Sequence, residues 1–580
     1  YLDADQLAEV LAGAGVDMSL VDEVVTSADH RLGKAHGLLG RVLDERSVDA
    51  DRTLHIGDNE VADVATAREL GATPIHVDLH SLNRHVPMPM VGLDAWSAAH
   101  GTDFGITAAI RATLVEAAAL GRDPSFQYGA GVVGPALAGF VRWVATETEL
   151  LGASAVHCML REGATIADLI PIVVPDSAAA PTAIRLHVSR WVTMRAAVVD
   201  GTPEELLTAL ARRADLTVDH VARAFDVDAT LVREVLGADQ IPPSGLFEAC
   251  EALSASDTTR SQIVASAADL RERVLTHLRA TLVVDDGPIV VADVGWGGTI
   301  QQGLERILRS AGIDNHVVGL YFALSAAGEQ RLGSGADMRS YLPNRYDDPI
   351  AARNSRAIAH HADTIERIMT PEIGTLIDIS PEGEPITRPD GHDVLPPTLR
   401  SAQAAMRAVV TRLADRSSGV SDLDDDRWVD DLTLRAAFAE SIADSVTAPT
   451  EFLARALGGW PHDDVAGSDH RSIATHELAT AARYANVRDL DLIDPDGRNW
   501  AAGVAAVHNH TLAAQIAADR AGVSLAGLCP ENENGFARLA AFAIGSDLAA
   551  VQVGRAPSTS SFGWSLLRIS GPIDTIRSVR

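Results

Sequence analysis

The sequence predicts an α/β protein built from two Rossmann-like, parallel-sheet units, and three observations carry that prediction. Leu54-His55-Ile56-Gly57 reads as the end of a buried strand, and Glu60 to Leu70 follows with Val61, Val64, Ala65 and Ala67 at helical spacing. Ala155-Val156-His157-Cys158-Met159-Leu160 is a second apolar run, preceded by an amphipathic helix. Ile289-Val290-Val291-Ala292-Asp293 is a third, followed by a glycine-rich turn and another helix. Unbroken apolar runs suit strands covered on both faces, and strand, turn and helix in repeated order build crossover units.

Residues 1 to about 95 open with an amphipathic helix from Asp3 to Ala14 and then alternate strand and helix. Gly71 stops the helix after the first strand, and Thr73-Pro74-Ile75-His76-Val77 is the next strand. Pro87, Pro89 and the polar stretch from Ala98 to Asp103 mark a linker. A second α/β unit is expected over 100–395. Its helix Gly134 to Glu149 carries Leu137, Phe140, Val141 and Val144 on one stripe. Leu186-His187-Val188 reads as a short strand, and about 200–280 as a helical insertion. The helix from Ile300 to Ser310 and the strand from Val317 to Leu324 complete that unit. Helices dominate 396–515, which is expected as a separate helical C-terminal region. Asp422 to Asp431 reads as a solvated loop and helix start, and 516–580 hold an Ala-rich helix and the strand Ala550 to Val553.

Composition removes several function classes. A hydrophobic content of 47% belongs to a folded chain, and 580 residues suffice for about four domains. The net charge of −31 argues against nucleic acid or an anionic membrane surface as partner, since both need basic surface. Cys158, Cys250 and Cys529 are far apart and form no Cys-x-x-Cys pair, which excludes a zinc ribbon and fits a reducing, cytoplasmic setting. No run of about 18 apolar residues is present, so no membrane span is expected.

Chemistry is expected first at Asp58, which follows Gly57 at a strand's carboxyl edge, with Asp63 further along the next helix. Two carboxylates beside an open sheet edge suit Mg²⁺. Gly57-Asp58-Asn59-Glu60-Val61-Ala62-Asp63, with Lys34 upstream, resembles the haloacid dehalogenase (HAD) superfamily of phosphohydrolases. The resemblance implies that Asp58 and Asp63 bind magnesium and that Lys34 offsets charge on the phosphoryl group, on a Rossmann-like domain. The family's nucleophilic aspartate lies on a strand upstream of the lysine, and no such strand precedes Lys34 here. The resemblance therefore implies a partial HAD domain with half an active site. Either the chain is a piece of a longer protein, or its phosphatase chemistry has been lost.

A second site is expected at Asp293-Val294-Gly295-Trp296-Gly297-Gly298-Thr299. Glycines let backbone amides approach an anion, and the following helix N-terminus adds positive potential. The turn is not a Walker A loop, because no Gly-Lys-Ser/Thr follows. Leu160-Arg161-Glu162-Gly163 leaves another strand and brings a guanidinium suited to phosphate. If Arg161, Gly163, Asp293, Gly297, Gly298 and Thr299 hold one anionic ligand, their strands must be neighbours. The competing reading is a tight structural turn with Trp296 packed as core, and Gly298→Val is expected to separate the two by blocking a ligand while sparing the fold. The pair of loops is similar to the phosphoribosyltransferase arrangement, which implies a sugar-phosphate ligand, although Ala292 stands where that family has a second acid.

Together with Tyr128-Gly129-Ala130-Gly131-Val132-Val133-Gly134-Pro135, these segments resemble long bacterial proteins described as predicted HAD hydrolases of surface-polysaccharide gene clusters. That resemblance implies a phosphorylated small-molecule substrate and glycosyltransferases as partners. His360-His361-Ala362-Asp363-Thr364-Ile365-Glu366 lacks His-x-x-x-His spacing and is expected to be a polar helix face.

Overall fold

The computed structural model describes residues 2–13, 18–57, 59–76, 124–174, 180–210, 216–284, 287–388, 395–414, 431–463, 470–474, 500–509, 512–513 and 516. The chain forms two compact units, Tyr1–Val86 with Arg416–Ser421, and the remainder. In the first unit, β1 (Leu54–Gly57) pairs in parallel with β2 (Thr73–His76), with Leu54 opposite Thr73. Between them Asn59 caps a widened helical turn, Glu60–Ala65, by accepting hydrogen bonds from Val61 N and Ala62 N at 3.0 and 2.8 Å. The helix continues as Thr66–Leu70 and ends at Gly71, whose φ of 87° suits glycine.

The second unit is organised by a five-stranded sheet. Its strands are β3 (Ala155–Met159), β4 (Thr182–Leu186), β7 (Ile289–Asp293), β8 (Val317–Tyr321) and β9 (Met338–Ser340), and β5 (Leu216–Thr217) and β6 (Gln240–Ile241) form a separate short ladder. All pairings in the large sheet are parallel, in the order β4-β3-β7-β8-β9. Renumbered within the sheet, this is the order 2-1-3-4-5 of a doubly wound, Rossmann-like α/β fold. Central strands β3, β7 and β8 are buried along their whole length, which explains their unbroken apolar runs.

The sequence reading places the edge strand too late. β4 is Thr182–Leu186, and it is half-exposed and mixed in polarity because it has a neighbour on one side only. After it the chain turns at Leu186–Val188, and Ser189 caps the helix Arg190–Ala196 by accepting from Val192 N at 3.2 Å. The helical insertion is present as Pro203–Leu210, Val218–Phe225, Ala229–Leu236, Leu246–Ala255 and Asp257–Thr281. It has its own core, in which Leu206, Val221, Phe225, Leu253 and Ile263 are fully buried. Two hairpins escape sequence reading: β10 (Leu376–Ile379) with β11 (Pro385–Thr387), and β12 (Pro461–Asp463) with β13 (His470–Ser472).

The helices from Pro397 onward fall in the same compact unit as the sheet. Pro397–Ala414 packs on the segment Pro124–Leu150 so closely that a Cβ on Gly129 would lie 2.0 Å from Ala402 O. Gly129 is therefore a close-packing position between helices. The expected linker at Ala98 to Asp103, the acidic run Asp422 to Asp430 and the strand Ala550 to Val553 lie outside the described residues.

Candidate functional site

In the N-terminal unit, Asp63 is fully buried and faces Lys34 and His55. Its Oδ1 lies 2.6 Å from Lys34 Nζ and 3.1 Å from His55 Nε2, and Oδ2 accepts from Asn59 N at 3.0 Å. Burial alone would raise the Asp63 carboxyl. The Lys34 and His55 contacts and the Asn59 amide outweigh it and hold the group at about 2. Gly57 makes the arrangement possible, because a Cβ there would sit 2.3 Å from Asp63 Cγ. Lys34 and Asp63 thus meet, but as an ion pair. Asp63 has no exposed surface, and a cation already occupies Oδ1, so this carboxylate does not fit a directly ligated Mg²⁺. Asp58 lies outside the described residues. Among the described residues no group of three His, Cys, Asp or Glu side chains is placed to hold a metal ion.

The second unit holds a larger site. β3 and β7 are direct neighbours, with Cys158 opposite Ala292. The chain leaves β3 toward β4 on one side, whereas β7 leads to β8 on the other, so their carboxyl ends border the topological switch point where doubly wound sheets bind ligands. The loops after them, Leu160–Glu162 and Val294–Gly298, open onto one cavity of about 560 Å³. That volume suits a small ligand.

Five of the six residues expected there line this cavity: Arg161, Asp293, Gly297, Gly298 and Thr299. Gly163 is not among its lining residues. It starts the helix Gly163–Val173, and its Cβ position lies 2.7 Å from Cys158 C, so its smallness serves helix–strand contact. Gly298 lines the cavity through its backbone, has φ 69°, and points its Cβ position at Met338 Cε, 2.5 Å away. A valine there would strike the core, which corrects the expectation that Gly298→Val spares the fold. The glycine loop is pinned from behind: Ser325 N donates to Trp296 O at 2.9 Å, and Arg331 donates to Gly297 O. No side chain caps the helix Thr299–Ser310. Among the described residues the amides of Gly297, Gly298 and Thr299 have no acceptor, which leaves them for an anion.

Carboxyl groups occupy the rest of the site. Asp293 is 9% exposed and its Oδ1 accepts from Val294 N at 2.8 Å. Burial, then the nearby Glu162, pushes its carboxyl well above the ordinary range, and Glu366 adds to the shift. Glu366 accepts from Trp296 Nε1 at 2.7 Å. Burial and the Glu162 and Asp363 charges push it up to about 7, against the lowering effect of Trp296 and Arg161. Glu162 accepts from Thr370 Oγ1 at 2.8 Å and stands 4.0 Å from Arg161 Nε.

Sequence reasoning missed Asp363 and Glu366, which the helix Ala362–Met369 brings to the cavity. It also offered Trp296 as core, whereas the indole is half-buried and holds Glu366. The string His360 to Glu366 is rich in polar residues, but nothing in its spacing shows which of them face the cavity. The helical insertion contributes a wall as well. His220 and Trp191 line the cavity with ring centroids 5.2 Å apart, and the Arg195 guanidinium stacks 4.4 Å from Trp191. Arg195 also donates to Ala224 O at 2.8 Å and to Ile377 O at 3.3 Å, tying the insertion and β10 to this wall.

No protein-family model matches the chain, and no curated protein is significantly similar to it. No helix among the described residues is long and apolar enough to cross a membrane.

Proposed function

We propose that the second unit binds a phosphorylated, sugar-sized small molecule at the switch point, in the manner of a phosphoribosyltransferase-like or glycosyltransferase domain, and that the N-terminal HAD-like unit is a non-catalytic scaffold. One observation carries the reading: the loops after two neighbouring parallel strands share a cavity lined by Arg161, a buried carboxyl and Gly297, Gly298 and Thr299, whose amides have no acceptor among the described residues. The phosphate would rest on the Gly297–Thr299 amides at the start of the helix, and ligand hydroxyls would meet Asp293, whose carboxyl is pushed well above the ordinary range by burial. The Trp191 and Trp296 rings offer apolar faces on which a sugar or base can lie.

Isothermal titration with glucose 6-phosphate and ribose 5-phosphate tests this reading. Arg161→Ala is expected to weaken binding by about 1.5–3 kcal/mol, the range for a hydrogen bond to a charged group. Equal affinity for the phosphorylated sugars and their unphosphorylated parents would remove the phosphate from the proposal.

The scaffold reading rests on the closed Lys34–Asp63–His55 cluster. Its expected outcome is that the intact protein shows no Mg²⁺-dependent hydrolysis of p-nitrophenyl phosphate. Turnover that vanishes in Asp58→Asn would favour the alternative, a HAD-type hydrolase of phosphorylated small molecules, to which the resemblance also attaches glycosyltransferase partners in polysaccharide assembly.

A further inference from the structure

We infer that the carboxyl side of this cavity receives a cationic nitrogen, so that the ligand is a phosphorylated amine rather than a simple phosphosugar. The inference rests on the phosphosugar reading of the same site. It starts from a count of charge. Glu162, Asp293, Asp363 and Glu366 all line the cavity, whereas its guanidinium groups are those of Arg161 and Arg190. Arg161 stands 4.0 Å from Glu162 and also acts on Glu366, so its charge is shared between carboxyls before any ligand arrives. Asp293 is more than nine-tenths buried, and its one hydrogen bond among the described residues, from Val294 N, falls on Oδ1. Asp293 lines the cavity, and among the described residues no hydrogen bond reaches its Oδ2. A buried carboxyl left this way either takes a proton or bears the desolvation cost of its charge.

An ammonium group supplies what the cavity lacks. It is compact, brings three donors, and favours ionised carboxylates around it. When it enters, Glu366 gives its proton to the solvent and becomes the counter-ion, while the ammonium keeps its own protons. The groups facing Glu366 set the balance: Asp363 on its own helix, Glu162 and Arg161 from the β3 loop, and Asp293 and the Trp296 indole from the β7 loop. His360, at the end of the preceding helix, also lines the cavity. Trp296 positions Glu366, since its N–H donates to the carboxyl in either protonation state.

Glucosamine 6-phosphate and glucose 6-phosphate differ at one position, an ammonium against a hydroxyl. Titrated into the intact protein at pH 7, the amine should bind about tenfold tighter or more, as for a hydrogen bond that gains charge on both partners. Its heat should differ between HEPES and PIPES buffers, reporting proton release, and that of glucose 6-phosphate should not. Glu366→Gln preserves the acceptor for Trp296 and removes the charge, so it should bring the two affinities within about threefold while glucose 6-phosphate binding persists. Should that variant fail to fold, Asp363→Asn removes charge from the same side and should narrow the selectivity in the same direction. Equal binding of the two esters, or selectivity that survives both substitutions, overturns the inference and leaves the phosphosugar reading standing. Unphosphorylated glucosamine binding as tightly as its ester would do the reverse, keeping the amine and removing the phosphate. Binding of none of the three would remove both.

Discussion

Asp63→Ala is expected to destabilise the N-terminal unit by about 1–3 kcal/mol, the range for leaving hydrogen-bonding groups without their buried partner. Asp63 has no exposed surface and satisfies Lys34, His55 and the Asn59 amide at once. Alanine would leave the Asn59 N–H and the His55 ring without their acceptor under Gly57, which tolerates no side chain that would fill the gap. Lys34→Ala should cost less, about 1 kcal/mol or below, because the Lys34 side chain is half-exposed. Hydrogen exchange of peptides covering Leu38 to Leu70 reads the effect within this unit alone. The pH dependence has a definite sign. A carboxyl held at about 2, below its ordinary value, contributes stability that is fully present above about pH 4 and is lost as pH falls toward 2. Protection that is unchanged in Asp63→Ala, or that improves on acidification through that window, would contradict the account of this cluster.

Gly298→Val is expected to cost about 2–5 kcal/mol of stability in the second unit, so that loss of ligand binding is accompanied by partial unfolding. Two terms combine. A φ of 69° strains a branched side chain by about 1–2 kcal/mol, and a Cβ 2.5 Å from Met338 Cε adds overpacking of about 1–3 kcal/mol. Gly297→Ala is the contrast. Its Cβ would meet Arg331 Nη1 at 3.3 Å, the far end of a flexible side chain, so it should stay within about 1 kcal/mol of the parent. Urea unfolding of the three proteins separates the two positions. A Gly298→Val protein as stable as the parent would show that the loop has room that the structure does not give it.

β3 and β7 were legible because central parallel strands are covered on both faces and so carry no polar alternation. β4 was displaced because an edge strand loses that signature, and β9 was invisible because three residues cannot display a period. At the site, Arg161, Asp293 and Thr299 could be anticipated from strand ends, since chemistry in doubly wound folds collects at carboxyl edges. Glu366 and Asp363 could not, because they reach the cavity through tertiary packing of a helix some seventy residues beyond the β7 loop. Asp63 shows the opposite limit. Its residue type and spacing were readable, but only the close approach allowed by Gly57 reveals that Lys34 and His55 consume it.

The central claim is that the switch-point cavity of the second unit is a ligand site whose phosphate pole is the Gly297–Thr299 turn. A crystal structure of the protein with glucosamine 6-phosphate tests it most directly. The account predicts the phosphate on the amides of Gly297, Gly298 and Thr299, with Arg161 in reach and the sugar's polar groups toward Asp293 and Glu366. A sugar phosphate bound elsewhere on the chain, with Trp296 filling the concave face of the turn, would contradict it.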